Sequence, residues 1–100
     1  MRIQDDGETL LVQPQGEVDL LTAPQLSAAL LGCSDAHRRL VCDLSEVTFM
    51  DSTGLLALIE ARGRDPERFV LGGTSWQVER LLELTGTNLL FKRVDGWNGS

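Results

Sequence analysis

Short apolar runs alternate with helix-like segments along the whole chain, and this alternation restricts the fold more than any other feature. Leu40-Val41-Cys42 and Phe69-Val70-Leu71 are continuous apolar runs, typical of strands covered on both faces. Apolar residues at helical spacing follow each run, from about Ser52 to Arg62 and again after Thr74. Strands that alternate with helices of this length require parallel crossovers. The pattern predicts a single α/β sheet domain.

The amino-terminal segment predicts a hairpin. The stretch from Thr9 to Gln15 alternates between apolar and polar residues, which suits a half-buried strand, and Pro14 places the end of that strand near an edge or a bulge. Arg2 to Gln4 is a short partner strand, and Asp5-Asp6-Gly7 is a good turn between the two.

Two T-x-x-Q patterns mark helix starts. Thr22 with Gln25 predicts a capping box at the first helix, and Thr74 with Gln77 predicts another at the third helix. Gly86 is well placed to follow the last turn of the third helix.

Phe91 to Val94 is predicted as the last strand, so the predicted order is β-β-α-β-α-β-α-β. The expected fold class is a mixed, mostly parallel sheet of about four to five strands with helices packed on it. Residues 1–95 are predicted as one domain and 96–100 as a frayed tail, because 100 residues support one hydrophobic core but not two.

The charge balance argues against nucleic acid and against an anionic membrane surface. The net charge is −6, and Arg38-Arg39 and Lys92-Arg93 are only isolated basic pairs. No apolar run reaches the roughly 18 residues that a membrane span needs, and the start of the chain lacks a signal-peptide pattern. The expected location is the cytoplasm, and the acidity is compatible with a basic protein partner.

The sequence also argues against an enzyme, a metal site and a cofactor. Cys33 and Cys42 are not a C-x-x-C pair, and His37, the only histidine, is predicted to be a solvated loop residue. Gly72-Gly73 lacks the lysine of a phosphate-binding loop, and no nucleophile–base pair is evident.

The most informative segment runs from residue 41 to residue 55, where a buried strand leads into an apolar helix. Functional groups gather at such strand–helix junctions in α/β sheets. Ser52 places a hydroxyl there, and a phosphate on it would add nearly two negative charges beside Asp51. The alternative is that Ser52 is only an N-cap that accepts a backbone hydrogen bond. The spacing alone leaves both interpretations open.

The string Phe49-Met50-Asp51-Ser52-Thr53-Gly54-Leu55 resembles the D-S-[ST]-G-[LI] signature of anti-sigma-factor antagonists, which are small proteins of the STAS family. Three further segments resemble family motifs in the family's order: Gly16-Glu17-Val18-Asp19, Asp43-Leu44-Ser45 and Leu81-Leu82-Glu83-Leu84-Thr85-Gly86. The resemblance covers nearly the whole chain.

The resemblance implies a partner-switching cycle. The unphosphorylated chain would bind an anti-sigma factor that is also a serine kinase, and a sigma factor would be released. Phosphorylation of Ser52 would block that binding, and a serine phosphatase would reverse it. The chain would therefore be a kinase substrate and not a catalyst.

The other candidate site residues are Asp19, Asp51, Thr53, Gly54 and Leu55. Asp19 either orders its turn or contacts the partner, and Asp51 either orients the Ser52 loop, is read by the kinase or caps the helix. Thr53 is a second hydroxyl with a weaker claim to phosphorylation. Gly54 permits a close approach, by a partner or by the sheet. Leu55 is either core or interface.

Two alternatives stay open. Small STAS proteins also serve as regulatory subunits of lipid-transport ABC ATPases, where the hydroxyl residue need not be phosphorylated. In addition, an apolar helix face is compatible with a homodimer.

Overall fold

Residues 1–94, the part of the chain that the computed structural model describes, form seven strands and three helices. The predicted tail, 96–100, lies outside the described residues. The longest of these helices has 13 residues, and none within residues 1–94 is long and apolar enough to cross a membrane. The strands are β1 (Arg2–Asp5), β2 (Thr9–Gln13), β3 (Gly16–Val18), β4 (Arg39–Leu44), β5 (Val47–Met50), β6 (Phe69–Thr74) and β7 (Lys92–Arg93), and the helices are α1 (Ala23–Leu30), α2 (Ser52–Arg64) and α3 (Trp76–Thr85).

The main sheet has five strands in the order β1-β2-β4-β6-β7, so β4 is central. β1 pairs antiparallel with β2 through the predicted hairpin, and the other neighbours are parallel. Leu40, Val41 and Cys42 of β4 are fully buried, as expected for a strand covered on both faces. The predicted α/β fold and element order are confirmed.

A second, two-stranded sheet is an addition to the predicted fold. β3 and β5 pair in parallel, with Val18 opposite Met50, and the register shifts between Gly16 and Glu17. Gly16 enters this pair with φ of +74°, a conformation that glycine adopts without steric cost. Both strands are short and end where a helix is about to begin, so they bring two loops to the same edge of the molecule.

The core lies between the main sheet and the helices. Leu40, Cys42 and Leu44 alternate along β4 and belong to one buried cluster with residues of α1 and α2. Leu26 and Leu30 contribute from α1, and the α2 members are Leu55, Ala57, Leu58 and Ala61. This buried surface fixes the rotation of α2 and hence the direction in which its first turn faces.

The predicted capping box at Thr22 is wrong. Thr22 precedes α1, but its side chain caps no helix N–H group, and its backbone is already near helical angles. The Thr22 hydroxyl instead accepts from the N–H of Asp19 at 2.9 Å and lies 2.9 Å from the Glu17 carbonyl oxygen. The backbone of the turn after β3 therefore takes up the hydroxyl that would otherwise cap α1. Threonine side chains often bond to nearby backbone groups in this way.

The second capping box is displaced by one residue. Thr74 is the last residue of β6 and pairs with Leu44, so it cannot also begin α3. Ser75 is the N-cap, and its hydroxyl accepts from the N–H of Val78 at 3.3 Å. The predicted end is confirmed, because Gly86 follows α3 with φ of +73°.

His37 is buried, with 6% of its surface exposed, so the prediction of a solvated loop histidine is wrong. Its Nδ1 accepts from the N–H of Ser34 at 2.9 Å, and its Nε2 lies 2.9 Å from Asp5 Oδ1. The backbone donor at Nδ1 places the ring proton on Nε2, which donates to Asp5. The imidazole therefore ties the β1–β2 hairpin to the loop before β4.

Candidate partner-binding site

The ends of β3 and β5 place two loops side by side. The N–H of Asp51, just after β5, donates to the carbonyl oxygen of Val18, the last residue of β3, at 3.2 Å. Asp19 follows Val18 directly, so both predicted aspartates lie at the same edge of this small parallel sheet. The β3 loop then enters α1, and the β5 loop enters α2.

Asp51 is the N-cap of α2, and Ser52 is not. Asp51 has extended backbone angles, and its Oδ1 accepts from the N–H of Thr53 at 2.9 Å and from that of Gly54 at 3.4 Å. A carboxylate at this position satisfies free helix N–H groups and faces the positive end of the helix dipole. Of the interpretations left open for Asp51, its role as a cap is confirmed. The N-cap interpretation of Ser52 is wrong, because Ser52 is the first helical residue.

The two hydroxyl residues differ in availability. Thr53 is half-buried, and its hydroxyl donates to Asp51 Oδ1. Ser52 is exposed, and within residues 1–94 its hydroxyl has no hydrogen-bond partner, while its neighbours Asp51 and Thr53 bond to each other. A modifying enzyme would have to break the Asp51 contact to reach Thr53, whereas Ser52 is open to solvent.

The hydrogen bonds to Asp51 predict a measurable shift in its pKa. The Thr53 hydroxyl contributes most to holding the pKa of Asp51 below its ordinary value of 3.8, against an opposing effect of burial, and nearby N–H groups, including that of Leu20, lower it further. The folded pKa is depressed, so the ionised carboxylate stabilises the fold at neutral pH. That contribution is lost as the pH falls from about 3.8 through the folded pKa. In Thr53→Val we expect the pKa of Asp51 to rise toward its ordinary value in an NMR titration.

Ser52→Ala is the matched control for this titration, because the Ser52 hydroxyl does not bond to Asp51. Its Asp51 pKa should equal that of the wild type. An unchanged Asp51 pKa in Thr53→Val would show that the Thr53 hydroxyl does not stabilise the carboxylate.

Asp19 orders the turn between β3 and α1. Its Oδ1 accepts from the N–H of Leu21 at 3.0 Å and from that of Thr22 at 3.2 Å, and its carbonyl oxygen accepts from the N–H of Ala23 at 2.7 Å. These bonds make Asp19 more than a solvated turn residue. They hold Leu20 and Leu21 in a defined position at the edge that also carries Ser52.

Gly54 and Leu55 face inward. A Cβ atom on Gly54 would lie 2.7 Å from Met50 Cγ and 2.8 Å from Val18 Cγ1, so glycine lets α2 pack directly on β3 and β5. Leu55 is buried in the core cluster. In the free chain these two residues position the first turn of α2 and offer little surface themselves.

Buried Asp43 supports the connection that leads into β5. Its Oδ2 accepts from Gln13 Nε2 at 3.1 Å, and its Oδ1 accepts from the N–H of Ser45 at 2.9 Å. The carboxylate thus joins the end of β2 to the turn between β4 and β5. Both of its oxygens accept a hydrogen bond, as a buried polar group requires.

Four exposed apolar side chains surround this edge, and the sequence analysis did not single them out. We call them the apolar rim: Leu20, Leu21, Phe49 and Leu56. Leu20 and Leu21 are 71% and 83% exposed, and Phe49 and Leu56 are each about half exposed. Leu56 lies one helical turn after Ser52, and the N–H of Leu20 lies close enough to Asp51 to lower its pKa.

Only part of the apolar rim had a signal in the sequence. Two consecutive leucines in a turn, Leu20 and Leu21, break the rule that loops are polar. Leu56 had no such signal, because its helix is apolar nearly all round and periodicity could not select the exposed member. Exposed apolar side chains grouped at one edge are a common feature of protein interaction surfaces.

Comparisons with known proteins agree with the motifs. The model of the STAS domain family matches residues 1–95. The anti-sigma-B factor antagonist of Staphylococcus aureus is 33% identical over 89 residues, which cover 85% of this chain and 82% of that protein. The protein of the same name from Listeria monocytogenes is 39% identical over 89 residues, which cover 81% of this chain and 76% of that protein.

A solved structure shares the fold over nearly the whole chain. The anti-sigma factor antagonist from Mycobacterium paratuberculosis has a TM-score of 0.80 and 29% sequence identity, and the match covers 94% of this chain and 83% of that one. The family model and the two relatives above cover most of the chain, including the Ser52 edge. The chain therefore belongs to the STAS domain family.

Proposed function

We propose that this chain is an anti-sigma-factor antagonist whose unphosphorylated form binds an anti-sigma factor with serine-kinase activity and so releases a sigma factor. Phosphorylation of Ser52 blocks the binding, and a serine phosphatase restores it. In this cycle the chain is a substrate in the cytoplasm and not an enzyme. The proposal is supported by the names of the relatives and by one structural observation: the Ser52 hydroxyl is exposed, has no hydrogen-bond partner among residues 1–94 and lies at the edge that carries the apolar rim.

The apolar rim provides the docking energy in this proposal. Leu20, Leu21, Phe49 and Leu56 lose their contact with water when a partner covers them, and each fully buried leucine contributes about 1.5–3 kcal/mol. Asp19 and Asp51 hold the two loops in place before the partner arrives, which lowers the entropic cost of binding.

A phosphate on Ser52 acts against this docking. It adds nearly two negative charges directly beside the Asp51 carboxylate, at an edge that the partner must desolvate. The start of α2 favours an anion by only about 0.3–1 kcal/mol at an exposed position, so the free chain tolerates the phosphate. A partner seated on the apolar rim must bury part of this charge, and we expect the affinity to fall about a hundredfold.

The test uses three immobilised forms of the full chain: wild type, Ser52→Ala and Ser52→Asp. Lysate of the source cells is passed over each, and the retained proteins are identified by mass spectrometry. We expect wild type and Ser52→Ala to retain an ATP-binding anti-sigma factor and Ser52→Asp to lose most of it. Addition of ATP and Mg²⁺ should release this protein from wild type, with the phosphate mapped to Ser52.

Thr53→Ala is the matched control, because it removes the neighbouring hydroxyl and leaves Ser52 in place. It should still be phosphorylated and released. Phosphate mapped to Thr53, or release that persists in Ser52→Ala, would contradict the proposal. Equal retention of a transporter ATPase by all three forms would favour the transport-subunit alternative instead.

A further inference from the structure

The outward face of α3 carries large apolar side chains that the Ser52 cycle does not use. Trp76 and Leu84 are 72% and 73% exposed, and they lie two helical turns apart on one side of the helix. With Glu79, Arg80 and Glu83 they line a shallow groove of about 370 Å³. An exposed tryptophan is costly to leave in water, and tryptophan is over-represented among the residues that dominate protein interfaces.

Charged side chains lie between Trp76 and Leu84 on this face. Glu79 is already occupied, because its carboxylate accepts two hydrogen bonds of 2.7 Å from the guanidinium of Arg93. Arg80 and Glu83 are exposed, and neither forms an ion pair with another residue of the described range 1–94. The face therefore presents one positive and one negative charge that are unpaired within residues 1–94, flanked by Trp76 at one end and Leu84 at the other.

We infer that this face binds a second copy of the chain, with the two α3 helices packed antiparallel about a two-fold axis near Arg80. In a two-fold symmetric interface every contact occurs twice: if residue i of one copy contacts residue j of the other, residue j of the first copy contacts residue i of the second. Trp76 then covers Leu84 of the other copy, and Leu84 is covered in return. Arg80 of each copy lies within reach of Glu83 of the other, so the centre holds two positive and two negative charges.

The opposite charges of Arg80 and Glu83 favour a second copy over a strongly charged partner at this face. The net charge of −6 steers basic partners toward the molecule as a whole, but the free charges on the α3 face cancel. Repulsion between two acidic copies acts over long distances, and at about 0.15 M salt it is screened beyond roughly 8 Å. The short-range pattern of Trp76, Arg80, Glu83 and Leu84 then decides the association.

The test is sedimentation equilibrium of the full chain and its variants at about 0.15 M salt. We expect the wild type to form a concentration-dependent dimer. Trp76→Ala should raise the dissociation constant roughly a thousandfold, because the substitution removes one dominant interface residue from each copy. Arg80→Glu and Glu83→Arg should each weaken the dimer, and the double variant Arg80→Glu/Glu83→Arg should restore it, because the reversed charges still pair across the two-fold axis.

Leu31→Ser is the matched control, because Leu31 is an exposed leucine at the end of α1. It should dimerise like the wild type. A wild type that stays monomeric at protein concentrations up to about 1 mM would overturn the inference. A dissociation constant above this value corresponds to a binding free energy of less than about 4 kcal/mol, which is too little for a specific dimer. A dimer that survives Trp76→Ala, or that the double charge reversal does not restore, would also overturn it. All of these substitutions lie on exposed positions, and circular dichroism verifies that each variant is folded.

Discussion

Replacing Gly54 by valine is expected to lower the free energy of unfolding by about 3 kcal/mol, the upper end of the range for overpacked cores. The first added atom would lie 2.7 Å from Met50 Cγ and 2.8 Å from Val18 Cγ1. Val18 is stiff at χ1, and Met50 is buried, so neither side chain can move aside cheaply. The helix must shift away from β3 and β5, and Ser52 shifts with it.

Gly63→Val is the matched control in the same helix. A Cβ atom at Gly63 meets nothing within 4 Å, and valine has a better helix propensity than glycine by a few tenths of a kcal/mol. We therefore expect this variant to be as stable as the wild type or slightly more stable. Urea unfolding monitored by circular dichroism measures both variants. Equal stabilities of the Gly54 and Gly63 variants would contradict the close packing of α2 on the small sheet.

The double variant Leu21→Ser/Leu56→Ser is expected to lose partner binding several-hundredfold without a change in stability. The prediction rests on the proposed function. Full burial of a leucine contributes about 1.5–3 kcal/mol, and the two residues are exposed enough in the free chain to gain most of this energy together. Exposed substitutions usually change the free energy of unfolding by no more than about 0.5 kcal/mol.

Leu31→Ser/Ile3→Ser removes the same type of surface elsewhere, at the end of α1 and on the edge strand β1. Isothermal titration calorimetry with the captured anti-sigma factor should give wild-type affinity for this control. If both double variants bind equally well, the apolar rim is not the docking surface. If both lose binding to the same extent, general surface hydrophobicity and not this edge accounts for the affinity.

The sequence predicted the fold well because its signals were local and redundant. The apolar runs at Leu40 and Phe69 were typical of buried strands between helices, and the predicted turn at Asp5-Asp6-Gly7 lies within one residue of the observed one, since Asp5 is the last residue of β1. The helix stop at Gly86 required a left-handed residue, which glycine supplies. The strand–helix junction at Ser52 was also predicted from local signals, because the end of a strand, a hydroxyl residue and the start of a helix follow one another within a few residues.

The errors arose where two partners competed for one polar group. Thr22 has the spacing of a capping box, yet its hydroxyl bonds to the turn after β3. Thr74 has the same spacing, yet its backbone is held in the β6 ladder by Leu44. His37 has the sequence context of a polar loop residue. In the fold its ring bonds to Ser34, which is near in the chain, and to Asp5, which is distant. Spacing does not reveal which competitor is closer in the fold.

The sequence by itself determined the order of the main-sheet strands and the helices, the end of α3 at Gly86 and the position of a hydroxyl at the start of α2, because each depends on neighbouring residues. Only the tertiary structure decided which leucines remain outside. Leu55 and Leu56 are adjacent and chemically identical, but packing of α2 against the core buries the first and leaves the second in solvent. The same holds for Leu20, Leu21 and Phe49, whose exposure follows from the pairing of β3 with β5. A surface forms only when the chain folds, so the apolar rim belongs to the fold and not to any one segment.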